Sequence, residues 1–278
     1  MIIRETCLPL GWYPRDRAKV SEFLSSFERN GSSCAVLAPH AGWFYSGSTA
    51  AIAVSSLKKE ADTVAVIGGH LPAGMPVLLA SEDGVKTPMG VMKIDKALRE
   101  EFSKRILADK KSVRDDRYED NTVEVLLPMV HYFFPGADLL WLRFPAEISS
   151  YNAGKILAET AGALDRRIVV VGSTDLTHYG RNYGFSPRGS GLPALEWVKE
   201  VNDASFIAAV LKGEPSLVYK RASEDLSACS AGAVLGSLGF ASAFEKQAAL
   251  LDYRTSAEAG DDIPDSFVGY AAISLAQG

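Results

Sequence analysis

Short apolar runs alternate along the chain with longer amphipathic segments. The runs 33–40, 63–70 and 167–175 are continuous and rich in β-branched residues, which is typical of strands covered by helices on both faces. Further strands are predicted at 76–81, 138–144, 248–255 and 266–276. Helices are predicted at 48–60, 96–107, 122–134, 150–164, 192–213 and 230–244. Pro128 predicts a kink or a late start in the helix at 122–134.

The alternation of strands and helices over the whole length predicts an α/β sandwich. No linker, low-complexity segment or internal repeat interrupts the pattern, so we expect a single domain over residues 1–278. The segment 179–193 is rich in Gly, Pro and Ser, and it is long enough to act as a lid or a binding loop.

The charge, the length of the apolar stretches and the number of cysteines argue against several classes of protein. The formal charge of −5, from 34 acidic and 29 basic residues, argues against a nucleic-acid partner, which would need a clustered basic patch. No apolar stretch approaches the roughly 20 residues of a membrane span, and the N-terminus lacks the apolar core of a signal peptide. The three cysteines are too few for a disulfide framework. We therefore expect a cytoplasmic protein without a membrane partner.

Histidines stand where predicted strands end. His40 ends the first run, His70 ends the second, and Asp175 and His178 follow the third. Ligands of open α/β sheets bind outside the carboxyl ends of the strands, so these side chains are expected to converge. Imidazole either binds a transition metal or acts as an acid or base near neutral pH. Taken alone, each histidine is equally well explained as a hydrogen-bonded strand cap, and Asp175 as a helix cap.

The remaining candidates are weaker. Cys229 precedes a predicted helix, where the helix dipole favours a thiolate and thus a metal ligand or a nucleophile. Cys7 and Cys34 are predicted to be small apolar residues, and His131 a core or surface histidine. The chain contains no phosphate-binding loop, dinucleotide fingerprint or nucleophile elbow.

Several segments resemble the Memo family, also called AmmeMemoRadiSam system protein B. "APHAGWFYSGSTAA", "VAVIGGH", "VGSTDLTHYG", "ACSAGAVL" and "LLDYRTSAE" occur in the family's order, and the resemblance spans essentially the whole chain. Memo proteins are similar in fold to class III extradiol dioxygenases. The resemblance therefore implies an α/β/α sandwich with a central mixed, mostly parallel sheet.

The resemblance also implies a metal site. Carried over by motif, the ligands are His40, His70 and Cys229, where the dioxygenases hold Fe(II) with two histidines and a glutamate. Asp175 and His178 match a pair in the neighbouring pocket, and His178 resembles the acid/base histidine of the dioxygenases. Fe(II) is the expected metal, with Cu or Zn as alternatives, since a thiolate with two imidazoles also suits those ions.

One segment departs from the family pattern. The family carries Glu-His-Ser-Ile/Leu-Glu-x-x-Leu-Pro before its central helix, whereas this chain has Asn121 in the histidine position and Thr122 in the serine position. Asn121 can form hydrogen bonds but cannot carry a proton at neutral pH. We expect Tyr45, Asn121 and Glu124 to line the substrate pocket, with an altered substrate or a weaker activity.

Three functions remain open on these grounds. The first is a metal-dependent redox enzyme with His178 as acid/base, in which cleavage of a catechol is an analogy only. The second is a non-catalytic protein that binds a small molecule or peptide in signalling. The third is a hydrolase with Cys229 and His178 as a dyad. The family name also suggests a functional link with radical-SAM and AMMECR-type proteins.

Overall fold

Four parallel strands form the centre of the main sheet in the computed structural model, which describes residues 1–29 and 31–277. In spatial order they are β2 (Ser33–Ala38), β9 (Ile168–Ser173), β3 (Thr63–Leu71) and β8 (Asp138–Pro145). They are the continuous apolar runs of the sequence, and nearly all their residues are buried. Each fully buried Val, Leu or Ile side chain contributes about 1.5–3 kcal/mol to folding.

Further strands make the sheet mixed. β12 lies antiparallel to β2 and also pairs with β10 and β11, while β4 lies antiparallel to β8 and parallel to β7. The bounds of these strands are β4 (Val77–Leu79), β7 (Val113–Asp115), β10 (His178–Gly180), β11 (Glu245–Thr255) and β12 (Ser266–Gln277). A separate small sheet contains β1 (Ile3–Arg4), β5 (Gly84–Thr87) and β6 (Gly90–Lys93).

Helices cover both faces of the main sheet. One layer contains α1 (Arg17–Leu24), α2 (Trp43–Ser55) and α5 (Leu127–Phe133), with the short α4 (Asn121–Glu124) against β3. The other contains α3 (Lys96–Ala108), α6 (Ser149–Ala163), α8 (Ala204–Lys212), α9 (Pro215–Glu224) and α10 (Ala231–Ala241). The architecture is the expected α/β/α sandwich.

The alternation of side chains along β2 shows why both layers are needed. Ala35 and Leu37 pack in the core beneath α3, α6 and α10, whereas Val36 and Ala38 pack beneath α1, α2 and α5. Successive residues of a strand point to opposite faces, so a continuous apolar run requires apolar cover on both sides. The run therefore identifies a central strand.

The small residues of α10 allow close packing. A Cβ at Gly154 of α6 would overlap the backbone of Gly236 of α10, and a Cβ at Gly239 would overlap the backbone of Tyr151. The two helices therefore approach backbone to backbone. This contact seats α10 and Cys229, which precedes it, over the end of the sheet.

Several helices differ from their predicted bounds. α2 begins at Trp43 rather than residue 48, because the Trp43 backbone N–H finds a partner in the Trp12 carbonyl oxygen at 2.8 Å. The predicted helix 122–134 is divided into α4 and α5, and Pro128 lies in the first turn of α5 as a late start requires. The predicted helix 192–213 is α7 (Leu192–Trp197), a π-helical segment (Val198–Asp203) and α8.

Some elements were not predicted at all. They are the small sheet, α1, β7, β10 and α9. The first residues of the predicted loop 179–193 belong to β10 and to a 3-10 helix (Arg181–Tyr183). The rest of the loop is irregular up to the start of α7. Within the described residues, no helix has the length and apolar character needed to cross a membrane.

Candidate metal centre

His40 lies just beyond the end of β2 and is only 1% exposed. Its backbone N–H donates to Asp175 Oδ1 at 2.7 Å, and its ring Nδ1 lies 2.8 Å from the Ser173 hydroxyl. Ser173 ends the neighbouring strand β9, and Asp175 follows two residues later. The two strand ends therefore fix the backbone and one ring nitrogen of His40, which leaves Nε2 for another partner.

His70 lies near the end of β3 and is more exposed, with a side-chain exposure of 34%. Its φ of +55° is in the left-handed region, which is uncommon for a residue other than Gly. Ring Nδ1 lies 3.2 Å from Asp120 Oδ2. Its ring meets that of His40 edge to face, with the ring centroids 4.9 Å apart.

Cys229 comes to the same place from the start of α10. Its backbone N–H donates to the Asp175 carbonyl oxygen at 3.2 Å, and its Sγ lies 3.3 Å from His40 Nε2. One ligand atom each from His40, His70 and Cys229 lies within 4.8 Å of the others. The structure thus brings together the three residues that the family resemblance assigned as metal ligands.

These groups shift one another's acidity. Burial alone would raise the pKa of the Cys229 thiol, but the adjacent His40 and His70 hold that pKa well below its usual value. Burial would lower the pKa of His70, yet hydrogen bonds to Asp120 and Cys229 raise it to about 10. The pKa of His40 is raised as well, because Asp175 and Cys229 outweigh its burial. The two imidazoles therefore favour the thiolate form of Cys229, and Cys229 in turn favours their protonated forms.

The donor set fits a transition-metal ion. In a tetrahedral site, ligand bonds of about 2.0–2.3 Å separate neighbouring ligand atoms by roughly 3.5 Å, close to the 3.3 Å between His40 Nε2 and Cys229 Sγ. Ring Nδ1 of each histidine already has an oxygen partner, in Ser173 or Asp120, as metal-binding histidines generally do. Two imidazoles and a thiolate suit Cu, Zn or Fe.

A cleft of about 610 Å³ opens over the two histidines. It is also lined by four other predicted site residues, which are Tyr45, Asn121, Asp175 and His178. Asn121 also donates from Nδ2 to the His40 carbonyl oxygen at 3.0 Å. Other lining residues are Leu10, Gly11, Trp12, Ala41, Gly42, Asn182, Tyr183, Ser256, Pro264, Ser266, Val268 and Tyr270.

One ring nitrogen of His178 is engaged by the backbone. Its Nδ1 lies 3.1 Å from the Leu176 carbonyl oxygen, which can only accept, so Nδ1 carries the proton and Nε2 is the acceptor of the neutral ring. The Tyr183 ring meets the imidazole edge to face, with the centroids 4.9 Å apart. Asp175 is buried with a raised pKa, mainly because of its burial.

Glu124 lies elsewhere than expected. It is 3% exposed and is not among the cleft-lining residues. Its carboxylate accepts from the backbone N–H groups of Cys7 and Leu8, at 2.8 and 3.2 Å, and from the Tyr13 hydroxyl at 2.6 Å. Glu124 therefore anchors the N-terminal segment, of which Leu10–Trp12 form one wall of the cleft.

Sequence reasoning missed the residues behind the ligands. Ser173, Asp120 and the buried Arg143 each contact a ligand histidine or its support. A signal existed for Asp120, which opens the segment that matches the family's acidic motif before α5. For Arg143 the signal was its place within an apolar strand, where a charged residue needs a buried partner. That signal did not say which residue the partner is.

The fold and this site define an α/β/α protein with a candidate two-histidine, one-cysteine metal centre at the carboxyl edge of its parallel strands. A family model described as Memo-like protein matches residues 4–274, and the chain belongs to the Memo family. It is 31% identical over 295 residues to a MEMO1 family protein of Pyrococcus abyssi, with 99% of each chain covered.

A MEMO1 family protein of Pyrococcus horikoshii is 31% identical over 288 residues, covering 95% of this chain and 96% of the relative. An uncharacterized protein of Escherichia coli with a crystal structure aligns at a TM-score of 0.48 and 12% identity, covering 86% of this chain and 98% of that one.

Proposed function

We propose that this Memo-family protein is a metal-dependent redox enzyme that acts on a small organic substrate. His40, His70 and Cys229 hold one ion, iron(II) in the first place or copper, with zinc as the non-redox alternative. The observation that carries the proposal is that ligand atoms of the three side chains lie within 4.8 Å of one another, and that His40 and His70 line an open cleft.

Three protein ligands leave coordination positions open, as catalytic metal sites do and structural sites do not. When bound, such an ion supplies Lewis-acid and one-electron chemistry to a group in the cleft. The protein contributes the rest. His178 accepts or returns a proton through Nε2, while Tyr45 and Asn121 limit how a substrate lies against the ligands.

The charge of the cleft bears on the alternative of a non-catalytic peptide-binding protein. Among the cleft-lining residues of the described chain, none is Lys or Arg. Phosphate groups are recognised mainly by Arg and Lys, so this cleft is poorly suited to a phosphopeptide. Its tyrosines, amides and histidines favour an uncharged aromatic or polar molecule.

A thiol-based hydrolase is a second candidate, because a Cys229 thiolate beside an imidazole is also the arrangement of a nucleophile. The imidazole at 3.3 Å belongs to His40, so the dyad would be Cys229–His40 rather than Cys229–His178. All three cysteines are free thiols.

Metal analysis of anaerobically purified, untagged protein tests the proposal. We expect nearly one equivalent of Fe or Cu per chain in the wild type and its loss in His40→Ala and Cys229→Ser. The matched control is His131→Ala, since His131 bonds Thr87 outside the cleft and its loss leaves the ligands in place. Oxygen uptake with catechols and thiols then screens for substrates.

The outcomes separate the candidates. Zinc alone, with no oxygen uptake after iron or copper loading, contradicts a redox role. The absence of any bound metal, together with a stoichiometric burst of acylation at Cys229, moves the function to the hydrolase.

A further inference from the structure

A buried arginine stands behind the exposed ligand histidine. Arg143 of β8 is 3% exposed, and each of its three nitrogens has a different partner. Nε donates to the Gly69 carbonyl oxygen at 3.0 Å, and Nη2 to Asp120 Oδ2 at 3.1 Å. Nη1 lies 3.4 Å from Asp116 Oδ1.

Asp120 connects this arginine to the imidazole. Its Oδ2 accepts from Arg143 and lies 3.2 Å from His70 Nδ1. Its Oδ1 accepts from the Thr122 backbone N–H at 2.8 Å and from the Thr122 hydroxyl. Both oxygens are therefore engaged, and the carboxylate has little freedom to turn away from His70.

The backbone of Gly69, the residue before His70, is held on both sides. The Gly69 carbonyl oxygen accepts from Arg143, and the Gly69 N–H donates to the Thr122 hydroxyl oxygen at 3.2 Å. A strained backbone persists only where its surroundings over-determine it. These two hydrogen bonds supply that constraint for the φ of +55° at His70.

We infer that Arg143 and Asp120 are positioning residues for His70, which together fix its backbone and its ring for metal binding. This inference rests on the proposed metal site. Because Asp120 accepts a hydrogen bond, Nδ1 of His70 carries the proton and Nε2 is left to bind the ion. Lysine cannot replace Arg143 fully, since three fixed directions are used and an ammonium group lacks the planar fork.

Cobalt(II) is a suitable probe, because its visible spectrum reports ligand geometry without any turnover. The chelator-treated full chain is titrated with Co(II) in competition with a chelator of known affinity. The variants are Asp120→Asn, which keeps the shape of the side chain, and Arg143→Lys, which keeps the charge. We expect each to bind Co(II) about 10–100-fold more weakly than the wild type, with altered ligand-field bands.

Asp95→Asn is the matched control. Asp95 is also a buried carboxylate, but it accepts from Thr63 at the opposite end of β3. We expect it to lower the stability of the fold and leave the Co(II) affinity and spectrum unchanged. ¹⁵N NMR of the Zn(II)-loaded protein gives a second readout, in which the His70 Nδ1–H resonance should shift in Asp120→Asn because its hydrogen bond to the carboxylate is lost.

Wild-type affinity and spectrum in both Asp120→Asn and Arg143→Lys overturn the inference while the metal site stands. A wild-type chain that binds none of Co(II), Fe(II) and Cu(I) overturns the proposed function, and the inference with it. Equal weakening by Asp95→Asn shows a general loss of stability and also rejects a positioning role.

Discussion

The two proposed ligand histidines are held by different means. His40 is almost fully buried, and its ring nitrogen meets the neutral hydroxyl of Ser173. His70 is one-third exposed, and its ring nitrogen meets a carboxylate that is paired with a buried arginine. The backbone differs too, since His40 continues from β2 without strain while His70 has a φ of +55°.

Exposure accounts for this difference. For the buried ring of His40, packing and one hydrogen bond to a hydroxyl are sufficient, because the close-packed interior leaves the ring few other orientations. Water competes for the hydrogen bonds of an exposed ring, so a charged and fully bonded carboxylate holds it better. The comparison teaches that two equivalent ligands of one ion need not have equivalent supports.

The largest effect is expected from Gly69→Ala. A Cβ at this position would lie 2.9 Å from Ser230 Cα and would overlap the Ser230 side chain. The clash separates His70 from Cys229, and we expect it to cost about 1–3 kcal/mol of unfolding free energy and to abolish metal binding. Urea unfolding and metal analysis measure the two effects.

Gly162→Ala is its control, because a Cβ at Gly162 of α6 meets nothing within 4 Å. That variant should be neutral or slightly more stable. A Gly69→Ala protein with full metal content would show that the close contact between β3 and α10 does not hold the site together.

Truncation of each histidine's support tests the comparison directly. We expect Asp120→Ala to weaken metal binding by about 10–100-fold, as loss of an outer carboxylate commonly does. Ser173→Ala removes one neutral hydrogen bond worth about 1 kcal/mol and should weaken binding only about 5-fold. Competition with a chelator measures both, and equal losses would refute the distinction between the two supports.

His70 should contribute one component of the pH dependence of the metal-free protein's stability, which its removal isolates. Its pKa is about 10 when folded and 6.5 in the unfolded reference, so folding is favoured by its proton. This stabilisation is complete below pH 6.5 and is lost as the pH rises to about 10. The free energy of unfolding, measured with urea, should therefore decline more steeply over this pH range in the wild type than in His70→Asn. Parallel curves for the two proteins would be inconsistent with a strongly raised pKa.

The smallest effect on the metal site is expected from Glu124→Gln, although Glu124 lies only one helical turn from Asp120. Burial and the Glu124 carboxylate raise the pKa of Cys7 to about 11. The variant should release the N-terminal segment, so iodoacetamide should label Cys7 faster while the metal content stays unchanged.

Glu101→Gln on α3, which removes a surface ion pair with Arg105, provides the baseline for labelling. A loss of metal in Glu124→Gln at wild-type stability would mean that α4 supports the ligands as a unit, and not through Asp120 alone.

Much of the fold was predictable because its signals are local. A continuous apolar run requires cover on both faces, so β2, β3, β8 and β9 could be recognised as central strands. The small sheet escaped prediction because β1 and β5 pair across about 80 residues, and neither is long enough to show a period. The early start of α2 escaped prediction for a similar reason, because the backbone N–H of its first residue donates to the carbonyl oxygen of Trp12, which is distant in sequence.

The sequence by itself determined the central strands, most of the helices that cover them and the position of His40 and His70 at strand ends, since each depends on neighbouring residues. Only the tertiary structure decided which groups stand behind them. Asp120 lies 50 residues from His70 and 23 from Arg143 along the chain. Glu124, expected in the cleft, instead binds the backbone of the N-terminal segment. Such pairings depend on how buried polar groups find partners once the strands are assembled, and no local pattern encodes that choice.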